Sequence, residues 1–348
     1  MDWWLNKLKN HSGFDGLRVG LIGAGRIGAM HARILARDIP GISLAAVAGG
    51  SSSAAADLGS ELAVPNLEPH VLIQREDVDA VAICSSTETH VAYIVEAAKA
   101  GKAIFCEKPL SLELVEVDRA LAAVEAAGVP FMVGFNRRFD PHHLAVREAL
   151  DRGDVGEPHI IRISSRDPAP PPVAYARGSG GIFLDMAIHD FDMARFLARS
   201  EVREVYAHGV VRIEPEFATF GDVDTAVTTL VHEDGCYTVI DNSRKSLYGF
   251  DQRVEVFGSK GMASLDNFPL TFATMRSESG LTGPPLPKRF IDRYYDSYVN
   301  EWRGFAAFVL GGKESPAGPE DARFPLAIAI AATRSMREHR PVSMSEIL

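Results

Sequence analysis

The stretch LRVGLIGAGRIGAMHARILAR, residues 17–37, changes its apolar period in the middle, and that change decides the fold. Leu17 to Ile22 is a short apolar run rich in branched residues, the pattern of a buried strand, and Gly23 stops it. From Ile27 the spacing turns helical, with Ile27, Met30 and Ile34 on one face until Pro40-Gly41 ends the segment. Between them stands Gly23-Ala24-Gly25-Arg26-Ile27-Gly28, a G-x-G-x-x-G placed directly after a strand and opening a helix. There the first glycine makes a tight turn, the second admits a pyrophosphate to the backbone, and the third lets helix and strand pack closely. The helix N-terminus favours the negative charge. This context reads as a dinucleotide site, against the plainer alternative of a glycine-rich turn without a ligand.

The same alternation continues outward. Ile42 to Ala48, Ala80 to Cys84, Ala103 to Cys106 and Val129 to Val133 read as further strands. Helices between them carry Val91, Ile94, Val95 and Ala98, and Leu114, Val117, Leu121 and Val124, the latter with Ser111 as expected N-cap. Strands apolar on both sides and separated by helices imply a parallel sheet covered on two faces, a doubly wound α/β domain. After about Asn136 the rhythm changes. Ile160–Ser164, Val202–Ile213, Val223–Val231, Tyr237–Asn242 and Val254–Phe257 follow one another as strands, which reads as an α+β domain with a large, mainly antiparallel open sheet. One helix is expected near Asp185 to Leu197, and others at Tyr298–Leu310 and Pro325–His339. Pro168 to Pro172 reads as a stiff loop. The expected division is 1–135 for the dinucleotide-binding domain and 136–348 for a substrate-binding and oligomerisation domain.

The length of 348 residues agrees with two domains, at roughly 150 residues each. With 46% hydrophobic and 24% charged residues, the composition is that of a globular chain. A net charge of −10 argues against a duplex nucleic-acid partner. No apolar run approaches the length of a membrane span, and MDWWLNKLKNHSG at the start lacks the apolar core of a signal peptide, so a cytoplasmic protein is expected. Three cysteines with no C-x-x-C pair cannot frame a disulfide scaffold, and Cys84 and Cys106 read as small buried hydrophobes.

About 20 residues after a glycine loop of this type, an acid usually holds the ribose 2′-hydroxyl of NAD. Here the second strand ends Ala48-Gly49-Gly50-Ser51-Ser52-Ser53. The missing carboxylate removes the repulsion against a 2′-phosphate, yet no Arg or Lys lies between Arg37 and Arg75, so these residues leave NAD and NADP both open. Glu107-Lys108-Pro109 follows the strand at 103–106 and falls at the carboxyl edge of the sheet, where ligands bind in such folds; otherwise Lys108 is a surface lysine at a strand end. Asp185 and His189, four apart on the expected helix, would share a face, so that the carboxylate orients the imidazole as a general base. A solvated surface pair is the plainer reading. Asp185, His189 and Asp190 or Asp192 also suggest a metal site, but without zinc spacing, and no metal is expected.

Taken together, GAGRIG at 23–28, STETH at 86–90, CEKPLS at 106–111, VGFNRRFDP at 133–141, SGGIFLDMAIHDFDMARFL at 179–197 and YGFDQRVEVFGSKG at 248–261 resemble the Gfo/Idh/MocA oxidoreductase family over nearly the whole chain. Within it, SSRDPAPPP at 164–172, HDFDMARF and YGFDQRVEV most resemble inositol 2-dehydrogenases. The resemblance implies Lys108, Asp185 and His189 as the catalytic set, with NAD or NADP as hydride acceptor. It implies Gly23, Gly25, Arg26, Ile27, Gly28, Gly49, Ser51, Ser85, Ser86, His90, Glu107, Lys108 and Arg137 at the cofactor. On the substrate side it implies Lys108, Arg137, Asp167, Asp185, His189 and Tyr248, around a small neutral polyol or sugar. His189, supported by Asp185, would accept a ring-hydroxyl proton while Lys108 stabilises the oxygen. The expected activity is oxidation of inositol to a keto-inositol. A different sugar or polyol dehydrogenase of the family, and a non-catalytic nicotinamide sensor, are the alternatives. A homodimer or homotetramer is expected, because a sheet with helices on one side leaves a face of Val, Thr and Tyr to be covered.

Overall fold

A computed structural model describes residues 16–49 and 53–348; Ser51 and the first 15 residues lie outside them. The chain divides into two compact units, one of residues 1–139 with Asp296–Arg323, the other Asp140–Tyr295 with Phe324–Leu348. Where sequence rhythm drew a single boundary after residue 135, the structure returns residues 296–323 to the first unit.

In the first unit the elements run β1 (Leu17–Ile22), α1 (Arg26–Arg37), β2 (Ile42–Ala48), α2 (Ala54–Leu62), β3 (Asn66–Leu67), α3 (Pro69–Gln74), β4 (Ala80–Ile83), α4 (Thr87–Lys99), β5 (Ala103–Glu107), α5 (Leu114–Ala127) and β6 (Phe131–Gly134). All ladders are parallel, in the order β3-β2-β1-β4-β5-β6, with Ile22 level with both Ala48 and Ile83. This is the doubly wound order, whose ligand crevice lies outside the carboxyl ends of the strands, where β1 and β4 part their connections to opposite sides. Burial on both faces explains the continuous apolar runs: every residue of β4 and β6 is buried. Helix α5 begins at Leu114 with Glu113 as N-cap, not at Ser111. The Ser111 hydroxyl instead accepts the Glu113 N–H at 3.1 Å, tightening the turn one step earlier.

The second unit contains α6 (Pro141–Asp151), β7 (Pro158–Arg166), α7 (Val173–Ala176), α8 (Gly181–Asp185), α9 (Ile188–Ala198), β8 (Val202–Val210), β9 (Thr225–His232), β10 (Tyr237–Ser243), β11 (Asp251–Gly258) and β12 (Met262–Leu265). A hairpin of β13 (Met275–Ser277) and β14 (Gly280–Thr282) follows. Then come the long helices α10 (Phe290–Gly311) and α11 (Pro319–Glu338), whose ends belong to different units, and β15 (Val342–Ser343). The sheet order is β12-β11-β7-β10-β9-β8-β15, antiparallel except for β7 beside β10. The expectation of a mainly antiparallel open sheet is met. The expected single helix near Asp185 to Leu197 is not: α8 stops at Asp185 and α9 starts at Ile188, with Met186 and Ala187 between them.

Residues 296–323 join the first unit through aromatic packing and a sheet edge. Phe105 of β5 lies with its ring centroid 4.5 Å from Trp302 and 5.9 Å from Phe305. His31 of α1 makes edge contacts to Phe105, Tyr298 and Trp302. The Ala317 carbonyl accepts the Val133 N–H at 3.0 Å and the Ser315 hydroxyl donates to the Phe131 carbonyl at 2.9 Å, so the outer edge of β6 is covered.

Glu301 shares this core. It is fully buried and neither carboxyl oxygen has a hydrogen-bond partner. Burial first, and the Glu107 carboxylate second, push its carboxyl well above the ordinary value of 4.5. An acid raised in this way takes up a proton on folding. Its contribution is fully present below about pH 4.5 and is lost as pH rises toward the folded value. Glu301→Gln removes that dependence, so its melting temperature should gain on the parent by about 2–4 °C between pH 5 and pH 8. Parallel melting curves across that range would show that Glu301 is ionised in the fold.

Candidate active site

The glycine loop is built by close approach. A Cβ on Gly28 would lie 1.7 Å from the Gly23 carbonyl oxygen. One on Gly23, whose φ is +106°, would lie 2.5 Å from the backbone of Cys84 and Ser85. Gly25 has nothing within 4 Å of that position, so the backbone there faces open space. Gly25 is the N-cap of α1 with no side-chain cap, and the first turn carries no acidic residue. A helix N-terminus without a side-chain cap beside an open glycine fits the pyrophosphate of a dinucleotide. Arg26 is exposed and Ile27 half-buried at the start of α1. Gly49, at the end of β2, packs against the loop and α2: its added Cβ would be 2.7 Å from Ala55 and 3.8 Å from Ala24. Residues from three strand ends thus meet around the glycine loop within one unit.

From Ser85 the edge continues to Lys108 through His90. Ser86 is the N-cap of α4 and exposed, and Ser85 shares a 2.7 Å hydrogen bond with Thr89. His90 is buried, with Nε2 3.0 Å from the Ser85 carbonyl and Nδ1 2.9 Å from the Pro109 carbonyl. Burial holds this imidazole below its ordinary value, so the neutral ring donates to one of the two carbonyls at a time. The ring thus stands between the loop after β4 and the loop after β5.

Glu107 ends β5, and Gly134 opposite it leaves room: a Cβ there would sit 3.3 Å from the Glu107 carboxyl carbon. Glu107 Oε1 faces His31 Nε2 at 2.8 Å, and its Oε2 accepts the Lys108 N–H at 3.1 Å. The indole N–H of Trp302 donates to His31 Nδ1 at 2.9 Å. Lys108 is half-buried at this edge. Arg137 is buried in a 3-10 turn, Asn136–Phe139, whose Asn136 donates to Ser297 at 2.8 Å. His31 and Trp302 carry no sequence signal, because their meeting joins residues 271 apart.

The other residues of the proposed set lie in the second unit. Asp185, at the end of α8, accepts the Tyr175 hydroxyl at 2.9 Å and Arg244 Nη1 at 3.2 Å. Arg244 is buried against the Phe217 ring, with its other terminal nitrogen 3.5 Å from Asp222. Burial raises the Asp222 carboxyl, although it accepts N–H groups from Ile182 and Val223. Asp185 is therefore oriented by Tyr175 and Arg244, and the same-helix argument that linked it to His189 fails at the break after α8. His189 is half-buried in the first turn of α9. Asp190 behind it is buried and accepts the Asn242 amide at 2.7 Å. Tyr175 and Arg244 were not anticipated; the only trace is an arginine among polar residues just past a strand.

Asp167 and Tyr248 belong to a neighbouring polar network. The Asp167 N–H donates to Ser243 O at 2.9 Å and its carbonyl accepts the Ser246 N–H. Tyr248, exposed, donates to Asp251 at 2.6 Å and accepts from Arg166 at 3.3 Å. Despite its burial, the Asp251 carboxyl is held below its ordinary range by Arg253, Tyr248 and Asn267. Among the described residues no group of three His, Cys, Asp or Glu is arranged to hold a metal, and no helix is long and apolar enough to cross a membrane. The three cysteines are buried and free, and burial pushes the Cys84 and Cys106 thiols up.

Comparison with known proteins accords with this arrangement. Residues 17–135 match an oxidoreductase family with an NAD-binding Rossmann fold, and residues 143–264 match the Gfo/Idh/MocA C-terminal domain. A myo-inositol 2-dehydrogenase of Thermotoga maritima is 45% identical over 334 residues, covering 95% of this chain and 100% of its own. An inositol 2-dehydrogenase of Rhizobium meliloti is 42% identical over 94% of this chain and 99% of its own. The crystal structure of scyllo-inositol dehydrogenase from Lactobacillus casei with bound NAD(H) and scyllo-inositol superposes with a TM-score of 0.89 at 27% identity, covering 95% of this chain and 99% of that one. A glycine loop, a lysine at the end of the fifth strand and two matched domains over most of the sequence have one common explanation: the chain belongs to the Gfo/Idh/MocA family of NAD-binding oxidoreductases.

Proposed function

We propose that this protein is an inositol dehydrogenase that oxidises myo-inositol to the 2-keto compound with NAD. The observation that carries the reading is Lys108 held at the carboxyl edge of β5, on the same edge as an uncapped glycine loop, in a chain 45% identical to a myo-inositol 2-dehydrogenase over nearly its full length. The loop residues Gly23, Gly25 and Gly28, with Gly49, Ser85 and Ser86, would hold the dinucleotide. When bound, the nicotinamide supplies the acceptor for the hydride.

Residues of the chain then manage the proton. Lys108 Nζ donates a hydrogen bond to the reacting hydroxyl oxygen and stabilises negative charge as it develops. The His189 imidazole takes the hydroxyl proton, and Asp185, fixed by Tyr175 and Arg244, supports the ring once it is charged. Asp167, Arg137 and Tyr248 are proposed to contact the polyol. A neutral substrate has no charge to grip, so selectivity rests on hydrogen bonds whose partners go unpaired when a hydroxyl is missing. The absence of an acid from Ala48 through Ser53 is the one observation that keeps NADP in the test. A cytoplasmic location, where the nicotinamide pool lies, is part of the proposal.

A second copy of the chain is proposed to cover the open face of the large sheet. Val227, Tyr237, Val239, Phe257 and Met262 stand on its strands with more than a third of their surface exposed. Val239 lies level with Thr229 on one side and Arg162 on the other, in the middle of that face.

Initial rates with NAD and with NADP, on myo-inositol, its isomers and a set of pyranoses, test the activity. NAD-linked oxidation of myo-inositol is expected. Lys108→Ala and His189→Ala should each lower kcat by about 10²-fold or more while NAD affinity changes little, and wild-type rates should fall on the acid side as His189 takes a proton. Turnover with pyranoses alone would move the protein to a sugar dehydrogenase. Cofactor binding without turnover on any substrate would make it a sensor. Light scattering at micromolar concentration should give the mass of two or four chains, reduced by Val239→Arg; a single-chain mass for the parent would remove the assembly.

A further inference from the structure

The Lys108–Pro109 dipeptide is gripped from both sides through its backbone. Its N–H goes to Glu107 Oε2 and its carbonyl faces His90 Nδ1. Glu107 in turn is bound by a group whose hydrogen bonding leaves no freedom. An indole N–H only donates, so His31 Nδ1, 2.9 Å from Trp302 Nε1, must be the unprotonated nitrogen. The ring proton is then on Nε2, and it is donated to Glu107 Oε1 at 2.8 Å. The direction of every bond in Trp302–His31–Glu107–Lys108 follows from the donor inventory alone. His31 and Trp302 are both fully buried, and aromatic edges from Phe105 and Tyr298 pin the imidazole plane. Such a chain has one arrangement, and rotating Glu107 would leave a buried imidazole N–H without an acceptor.

We propose that Trp302 and His31, acting through Glu107, are positioning residues for Lys108: they fix the backbone from which its ammonium group reaches the reacting oxygen. The proposal deepens the dehydrogenase reading and rests on it for the role of Lys108. The chain of bonds itself is independent of any substrate. Glu107 has a single strand-end residue's freedom, and its carboxylate links the buried core at His31 to the half-buried lysine. A displacement of the lysine by a fraction of an ångström lowers the rate of a step that needs a near-attack geometry, without weakening the distant dinucleotide contacts.

The test pairs a spectrum with kinetics on the full-length protein. In the ring ¹⁵N spectrum of His31, assigned by its loss in His31→Gln, the Nε2-protonated neutral tautomer is expected; an Nδ1–H tautomer or an imidazolium overturns the proposal. Trp302→Phe keeps the ring and removes the N–H. It should lower kcat about tenfold with the NAD Kd within about twofold, and raise the primary isotope effect with inositol deuterated at the oxidised carbon as the hydride step becomes slower than release. His31→Leu should lose more, and His31→Gln, whose amide N–H still reaches Glu107, should recover most of it. An unchanged isotope effect, or a kcat loss matched by an equal loss of NAD-binding sites, would mean these residues serve folding alone. If the parent turns over no inositol, the dehydrogenase reading has failed, and the His31 spectrum still decides whether the chain of bonds exists.

Discussion

A parallel sheet covered on both faces leaves polar side chains one route to solvent, the ends of its strands. In the first unit β4 is apolar throughout, and β1, β2 and β5 are apolar but for Arg18, Gly20, Ser43 and the terminal Glu107, with glycine or polar residues following at their carboxyl ends. Gly23, Gly49, Ser85 and Glu107 are the first residues free of that constraint or at its limit, and they form one continuous edge. The glycine loop and Lys108 share this edge because a doubly wound sheet offers no other.

The constraint has a cost at Glu107. A carboxylate on the last residue of the strand, with a second acid nearby in the core, needs compensation. His31 and the Lys108 amide provide it, while burial and the Glu107 carboxylate push the Glu301 carboxyl up. In the second unit the same problem is solved differently. The buried Arg244 lies among Asp185, Asp222 and the Phe217 ring, so that a charged guanidinium, not a neutral imidazole, orients the acid. Both devices fix a side chain of the proposed site by spending a buried polar residue behind it.

How much of this was legible depends on how local each cause is. The glycine loop was readable because its requirements fall within six consecutive residues, and the added Cβ at Gly28 shows how little room they leave. The parallel sheet followed from period alone. Lys108, Asp185 and His189 came from resemblance, since spacing by itself favoured a surface lysine and a solvated pair. The Asp185–His189 helix was misread because a period of four persists across the break at Met186 and Ala187, where the backbone, not the pattern, changes. His90 came beside the cofactor from resemblance alone, and its ring faces two backbone carbonyls that no local pattern announces. His31, Trp302 and Arg244 had no local cause to read. Their partners lie 271, 76 and 59 residues away, and only the fold brings them together. The return of residues 296–323 to the first unit was invisible for the same reason.

In the proposed reaction hydride leaves the ring carbon bearing the oxidised hydroxyl and goes directly to the nicotinamide. Incubation of the protein with NAD and myo-inositol deuterated at C2, followed by mass spectrometry of the reduced cofactor, tests it most directly. One deuterium in every molecule of NADH formed is the predicted result. Unlabelled NADH, with the deuterium retained in the polyol or lost to water, would contradict it.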